Sequence, residues 1–313
     1  MIHGILNVNK ETGYTSHDVV AKLRRILGQK KIGHTGTLDP NASGVLPICL
    51  GKATKLCELF TDKDKTYQAR LCLGVETDTQ DMTGEILRKK EVSCTEEEIL
   101  HTFKKFLGKQ EQIPPMYSAV KIKGKRLYEL AREGKTVERT ARKIEISSLV
   151  LQKIDLPYVD FEVVCSKGTY IRTLCADIGK NLSCGAAMFS LIRTRSGNFN
   201  LENSLYLTQI EDLWNKKSLF EHILLIEDSL KYYPSMIILP EMEKSLVNGE
   251  RFRIQDFHLC RLAFCNENGE EEQATEQYPE YLCLYTVKKQ LIGLYRYQAN
   301  VQAYKIWKML AEV

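Results

Sequence analysis

The sequence predicts a mixed α/β chain whose C-terminal part is a separate, β-rich unit. Three observations lead there. Capped helices with apolar residues at helical spacing alternate with strand-like runs up to about residue 230. From Tyr233 onward, short strand candidates and turns follow one another instead. The 313 residues suffice for a large core in one or two domains, and no apolar run approaches the ~20 residues of a membrane helix. The expected division is 1–230 and 231–313.

Gly4–Val8 reads as a strand. Thr15 and Asp18 form a capping-box pair, Val19, Val20, Leu23, Ile26 and Leu27 follow at helical spacing, and Gly28 ends the helix. Val45–Leu50 is apolar but holds Pro47, so it is expected to be an edge strand or the start of a helix. Ala53–Thr61 reads as a helix, and Lys65–Gly74 as a strand with alternating apolar residues. Thr95–Leu107 is a second capped helix, begun by Thr95 and Glu98. Gln112–Arg142 interrupts the pattern: basic, with Pro114-Pro115, Tyr117 and Tyr128, and helix-like over Arg126–Glu133, it has the character of a binding insertion. Ile144–Leu151 and Val159–Cys165 read as strands around a turn at Pro157. A helix runs from about Arg172 to Leu182, and Met188–Arg195 is a strand with Arg193 and Arg195 to one side. Thr208–Trp214 and Ser218–Ile226 are expected to be short helices. Beyond residue 230 the strand candidates are Ile237–Leu239, Cys260–Cys265, Tyr281–Val287 and Leu291–Tyr297, with turns at Asn248-Gly249 and Asn268-Gly269. This is the pattern of a small barrel or sandwich.

Net charge is only +4, but it is unevenly placed. Residues 121–143 carry nine Lys/Arg against three Glu, residues 22–31 carry five Lys/Arg and no acid, and residues 267–280 carry six Glu and no base. A basic stripe on a near-neutral protein fits either a polyanion partner or a solvated charged face. The N-terminus has no signal-peptide pattern, and ten scattered Cys with no C-x-x-C suit reduced thiols in the cytoplasm.

Several chemistries are excluded. Gly44…Gly51-Lys52-Ala53 misses the spacing of a phosphate-binding P-loop and has Ala where Ser or Thr would hold Mg²⁺. There is no G-x-S-x-G elbow and no G-x-G-x-x-G after a strand. The six His form no H-x-x-x-H pair, and Asp78–Gly84 lacks the acid or amide ligands of a calcium loop. What remains is Gly33–Pro47, GHTGTLDPNASGVLP, which sets one acid, Asp39, among three Gly and two Pro. Gly allows positive φ and Pro fixes φ, so the loop is shaped. By itself it reads first as a turn whose Asp bonds local backbone N–H groups, the commoner use of Asp-Pro.

This loop resembles the catalytic signature of the TruB family of tRNA pseudouridine synthases. GILNVNKETGYTS (4–16), KTYQARLCLG (65–74), IPPMYSAVKIKGKRLYELAREG (113–134) and CSKGTYIRTL (165–174) resemble the same family in the same order. Glu11, where Pro is common, is a departure, as are Asn41 and Ser43. The resemblance implies a pseudouridine synthase fold, with a mixed, largely antiparallel sheet flanked by helices, an RNA-gripping insertion at about 113–143 and a small PUA-like RNA-binding C-terminal domain. It implies isomerisation of uridine to pseudouridine in the T-loop of tRNA, at position 55, with no cofactor and no metal. The partner is then the tRNA T-arm, and a monomer is expected. Asp39 maps onto the nucleophile and Arg172 onto the Arg that pairs with it. Tyr67 maps onto the catalytic Tyr that stacks on the target base and is a candidate to take its C5 proton; a phenol of pKa about 10 is a poor base at neutral pH, so stacking is the expected role. Tyr170 and Leu191 map onto the base pocket, and His34 onto the residue that fills the space left by the flipped nucleotide. Lys121, Lys123, Lys125 and Arg126 are expected to contact the RNA backbone. Two other readings are a guide-RNA-dependent relative acting on ribosomal RNA and a non-catalytic RNA-binding or RNA-folding protein.

Overall fold

The computed structural model describes residues 1–122, 124–253, 262–265, 271–272 and 278–311. Lys123, the start of the expected Cys260–Cys265 strand, the Asn268-Gly269 turn and most of the acidic 267–280 stretch lie outside the described residues.

In chain order the elements are β1 (Gly4–Lys10), α1 (Ser16–Leu27), β2 (Ile32–His34), β3 (Ser43–Leu50), a 3₁₀ turn (Gly51–Leu56), α2 (Cys57–Thr61), β4 (Lys65–Leu73), β5 (Val75–Thr77), β6 (Ile86–Lys89) and α3 (Glu96–Lys105). There follow β7 (Gly108–Gln112), β8 (Lys121–Ile122), β9 (Lys125–Arg126), α4 (Leu127–Arg132), β10 (Arg142–Asp155), β11 (Tyr158–Cys165), α5 (Ile171–Asn181), β12 (Ala186–Ser196), β13 (Phe199–Asn200) and α6 (Leu207–Asn215). The last part holds β14 (Ile223–Leu224), α7 (Ile226–Ser229), β15 (Ser235–Ile237), α8 (Pro240–Val247), β16 (Leu262–Cys265), β17 (Glu271–Glu272), β18 (Tyr281–Tyr285), β19 (Leu291–Gln298) and β20 (Ala303–Met309).

The large sheet runs β14-β1-β3-β12-β4-β11-β10-β7, with β2 beside β3 and β13 beside β12. Its pairings are antiparallel except one, β3 with β12, where Ser43 meets Ile192 and Gly44 meets Arg193. The mixed, largely antiparallel sheet is therefore present. Its buried face packs against α1, α3, α5 and α6 through residues such as Leu23, Phe103, Leu174 and Ile210. Both expected capping boxes form, at Thr15/Asp18 and Thr95/Glu98, and Gly28 ends α1 in the left-handed region.

Several elements differ from the sequence reading. β3 lies inside the sheet in spite of Pro47. The carbonyl of Pro47 accepts from Thr35 N just past the end of β2, so the N–H that Pro lacks falls where that ladder runs out. The helix expected over 53–61 is half a 3₁₀ turn, and the one over 218–226 is a 3₁₀ turn (Leu219–His222), a two-residue edge strand and the start of α7. Arg193 and Arg195 do not share a face. A bulge at Thr194 pairs Arg193 with Tyr67 and Arg195 with Thr66, neighbours that point opposite ways.

The C-terminal strands form a second sheet, β17-β16-β15-β18-β19-β20, capped by α8, an element the sequence reading missed along with β20. It has its own core around Met236, Phe252, Tyr295 and Tyr304. A third apolar cluster joins the two sheets: Ile5, Leu56, Leu59 and Phe60 pack with Leu230, Cys283, Leu291, Leu294 and Leu310. Lys55 Nζ donates to Met309 O at 2.5 Å across this seam. No helix among the described residues is long and apolar enough to cross a membrane.

Candidate active site

The Asp39 loop connects β2 to β3 and is pinned from three sides. From β1, the buried Lys10 donates to Pro40 O at 3.1 Å, and also to Glu11 O and Tyr14 O. From α1, Ser16 Oγ accepts from Leu38 N at 2.9 Å. From β12, Arg193 donates to Val45 O at 2.7 Å and to Gly36 O at 3.3 Å. Gly44 has φ +104°, and a Cβ there would lie 2.2 Å from the Arg193 carbonyl oxygen. Only glycine lets β3 come alongside β12 at that point.

So held, Asp39 directs its carboxylate across the fold rather than to nearby backbone. Arg172 on α5, 133 residues away in sequence, meets it with a fork: Nη2 donates to Oδ1 at 3.1 Å and Nε lies 2.8 Å from Oδ2. The Nε approach is a charge contact off the N–H axis. The Arg172 side chain is 5% exposed and that of Asp39 35%, so the acid is partly open to solvent and the guanidinium is buried behind it. Burial raises the Asp39 pKa above the ordinary carboxylate value, Arg172 opposes that rise, and Asp81 adds to it.

The guanidinium is itself clamped. Arg172 Nη1 donates to Thr79 O at 3.1 Å and Nη2 to Tyr117 O at 2.8 Å, and Asp81 Oδ2 lies 3.6 Å from Nη1. Asp81 is fixed in turn by Thr79 Oγ1 and by the N–H and hydroxyl of Thr83. The Asp78–Gly84 segment, discounted above as a calcium loop, is thus a brace for Arg172. Its Asp and Thr spacing is the turn signal that marks it. Tyr117, at the root of the insertion, joins the same brace through its hydroxyl, 3.3 Å from Asp78 Oδ2.

Tyr67 and Leu191 sit on neighbouring strands β4 and β12 and are both buried, on the face that carries Ala69 and Arg193. Burial raises the Tyr67 pKa above the ordinary phenol value. Tyr170 caps α5, with its backbone N–H and C=O both bonded to the side chain of Gln112 on β7. Gln112 is a residue the sequence reading did not single out. His34 ends β2, its ring edge-on to His17 at 6.3 Å. Burial and the neighbouring His17 and Arg193 lower its pKa, so the ring is neutral at pH 7. The structure therefore brings Asp39, Arg172, Asp81 and the insertion root together, with Tyr67 and Leu191 on the adjoining sheet face. Lys121, Lys125 and Arg126 are exposed on the β8–β9 hairpin and make no contact with the acid. Arg126 donates to Tyr128 OH at 2.9 Å, and Lys125 lies 3.6 Å from Glu133.

A family model described as TruB family pseudouridylate synthase, N-terminal domain, matches residues 24–171. A second, described as tRNA pseudouridylate synthase B C-terminal domain, matches residues 172–231. The chain belongs to the TruB family.

Curated relatives named tRNA pseudouridine synthase B match over most of their length. One from Clostridium novyi (strain NT) is 50% identical over 250 residues, covering 80% of this chain and 85% of the relative. One from Staphylococcus haemolyticus (strain JCSC1435) is 45% identical over 294 residues, covering 90% and 96%. A chain from the crystal structure of a Cbf5-Nop10-Gar1 complex superposes with a TM-score of 0.72 at 27% identity, covering 99% of this chain and 85% of that one. The two TruB models span the Asp39 loop, Tyr67, Arg172 and Leu191. The sheet beyond residue 231 lies outside the two models, and there the similarity rests on the longer Staphylococcus haemolyticus match and on the structural likeness.

Proposed function

We propose that this TruB-family chain isomerises uridine to pseudouridine in the T-loop of tRNA, at position 55, with Asp39 as the nucleophile. The observation that carries the reading is the pairing of the buried Arg172 with the partly exposed Asp39. A carboxylate that is crowded by protein tends to take up a proton. The guanidinium, itself held by two carbonyls and Asp81, keeps Asp39 ionised and aimed, as a nucleophile must be.

The target base is stacked inside a folded loop and must be flipped out, at a cost of a few kcal/mol. Tyr67 and Leu191 form the slot that receives it, with Tyr170 at its rim. His34, neutral and already edge-on to a second ring, occupies the space that the base leaves. Asp39 adds to an electrophilic carbon of the flipped nucleotide and the N–C glycosidic bond breaks; the base turns and its C5 bonds to the ribose carbon, the bond to Asp39 breaks again, and C5 gives up its proton while the freed ring nitrogen takes one up. Atoms are conserved throughout, so the chemistry calls on no external group. Lys121, Lys125 and Arg126 on the exposed hairpin, together with Lys123, hold the RNA backbone, and residues 231–313 serve as a PUA-like RNA-binding unit.

The test compares the wild type with Asp39→Asn on a T-arm transcript, without guide RNA and without added metal. The expected result is pseudouridine from the wild type, and RNA binding but no product from the variant. Product from Asp39→Asn at the wild-type rate would remove Asp39 from the chemistry. Wild-type activity only with an added guide RNA would favour the ribosomal-RNA reading instead.

A further inference from the structure

We infer that Arg193 is a positioning residue that sets the width of the base slot by tying the Asp39 loop to Tyr67. The inference rests on the reaction proposed above and adds a residue that has no place in it. Arg193 is 1% exposed and is the largest fully buried side chain among the described residues. No carboxylate among the described residues lies within ion-pair distance of it. Its guanidinium is spent on the loop instead: Nε on Val45 O and Nη2 on Gly36 O, one on each side of Asp39. Tyr67 is the direct cross-strand partner of Arg193, and the nearby guanidinium favours ionisation of the phenol. Arg193 therefore bonds the loop that presents the nucleophile and pairs across the strands with the ring on which the base stacks, while staying buried behind both.

A buried guanidinium without a countercharge is costly, and an apolar side chain would hold β12 in the core more cheaply. What the apolar side chain lacks is the rigid planar fork that can fix two loop carbonyls at once beside the Tyr67 ring. Lys keeps the charge but loses the fork. Reacting groups misplaced by about 1 Å lose on the order of a hundredfold in rate. The buried cations Lys10 and Lys65 lie near enough for their charges to oppose that of Arg193, so the charge alone is not what the site needs.

The experiment measures single-turnover pseudouridine formation at saturating T-arm RNA, RNA affinity, and Tm for the wild type, Arg193→Lys, Arg193→Met, Tyr67→Phe and the double variant Arg193→Lys/Tyr67→Phe. Arg193→Lys is expected to bind RNA like the wild type and to lose on the order of a hundredfold in single-turnover rate. Once the Tyr67 hydroxyl is gone the Arg193→Lys loss should shrink, because the two changes cut one connection. A loss of the same size in both backgrounds, or a rate for Arg193→Lys equal to wild type, overturns the inference. If Arg193→Met does not fold, the Lys series carries the test unchanged. A wild type that makes no pseudouridine fails the proposed function and takes this inference with it, whereas an active wild type with additive variants fails the inference alone.

Discussion

At the scale of single residues, the site is a carboxylate whose surroundings push its proton affinity up and one guanidinium that pushes it down. The sign of the pH effect follows. Asp39 is raised by burial, so the active, ionised form is lost as pH falls through a pKa above the ordinary carboxylate value. Removing Arg172 takes away the opposing charge. The acid limb of the single-turnover rate for Arg172→Met is expected to move to higher pH than in the wild type, and an unmoved limb would mean that another group controls it. Asp81→Asn should act through Arg172: lower rate, near-normal RNA affinity, and little further effect in an Arg172→Met background, as measured by a double-mutant cycle. The sequence marked Asp39 and Arg172 through their motifs. It did not mark Asp81, Gln112 or the work of Arg193, because each acts through a contact made across the fold. Thr79 and Asp81 read locally as a turn, and only the arrival of α5 gives that turn a purpose.

At the scale of elements, periodicity and capping were legible and tertiary overrides were not. The helices α1 and α3 begin at the Thr residues that the capping boxes name, because those bonds are local. β3 was misjudged because Pro47 is penalised only where its missing N–H is needed, and the position of β2 decides that. The Arg193–Arg195 alternation failed for a similar reason, since a bulge cannot be read from a period of two. The same junction yields a prediction. Gly44→Ala would put a methyl group 2.2 Å from the Arg193 carbonyl oxygen in a positive-φ conformation. The backbone conformation alone should cost about 1–3 kcal/mol and the clash adds to it, so urea denaturation should show a clear fall in midpoint together with lost activity.

At the scale of the whole molecule, the two sheets share an apolar seam. Truncating Leu294 in that seam to Ala should cost about 2–5 kcal/mol. The two tryptophans, Trp214 and Trp307, lie in the two parts of the chain. Variants that keep one of them at a time should report the same unfolding midpoint, and Leu294→Ala should shift both together. On the outer surface, replacing Lys121, Lys125 and Arg126 with Gln should flatten the slope of log affinity against log salt by about 2–3, while the catalytic rate at saturation is unchanged. The basic character of 121–143 was plain in the sequence; that its root, Tyr117, also holds Arg172 was not. The single parallel strand pairing of the large sheet, β3 with β12, has a consequence for synthesis of the chain. The Asp39 loop emerges early, but Arg193, which clasps it, follows 148 residues after Val45. Loops of that span close slowly, after local structure has formed. A nascent chain on the ribosome thus carries the complete signature loop long before it has an active site, and competence comes only when β12 inserts beside β3.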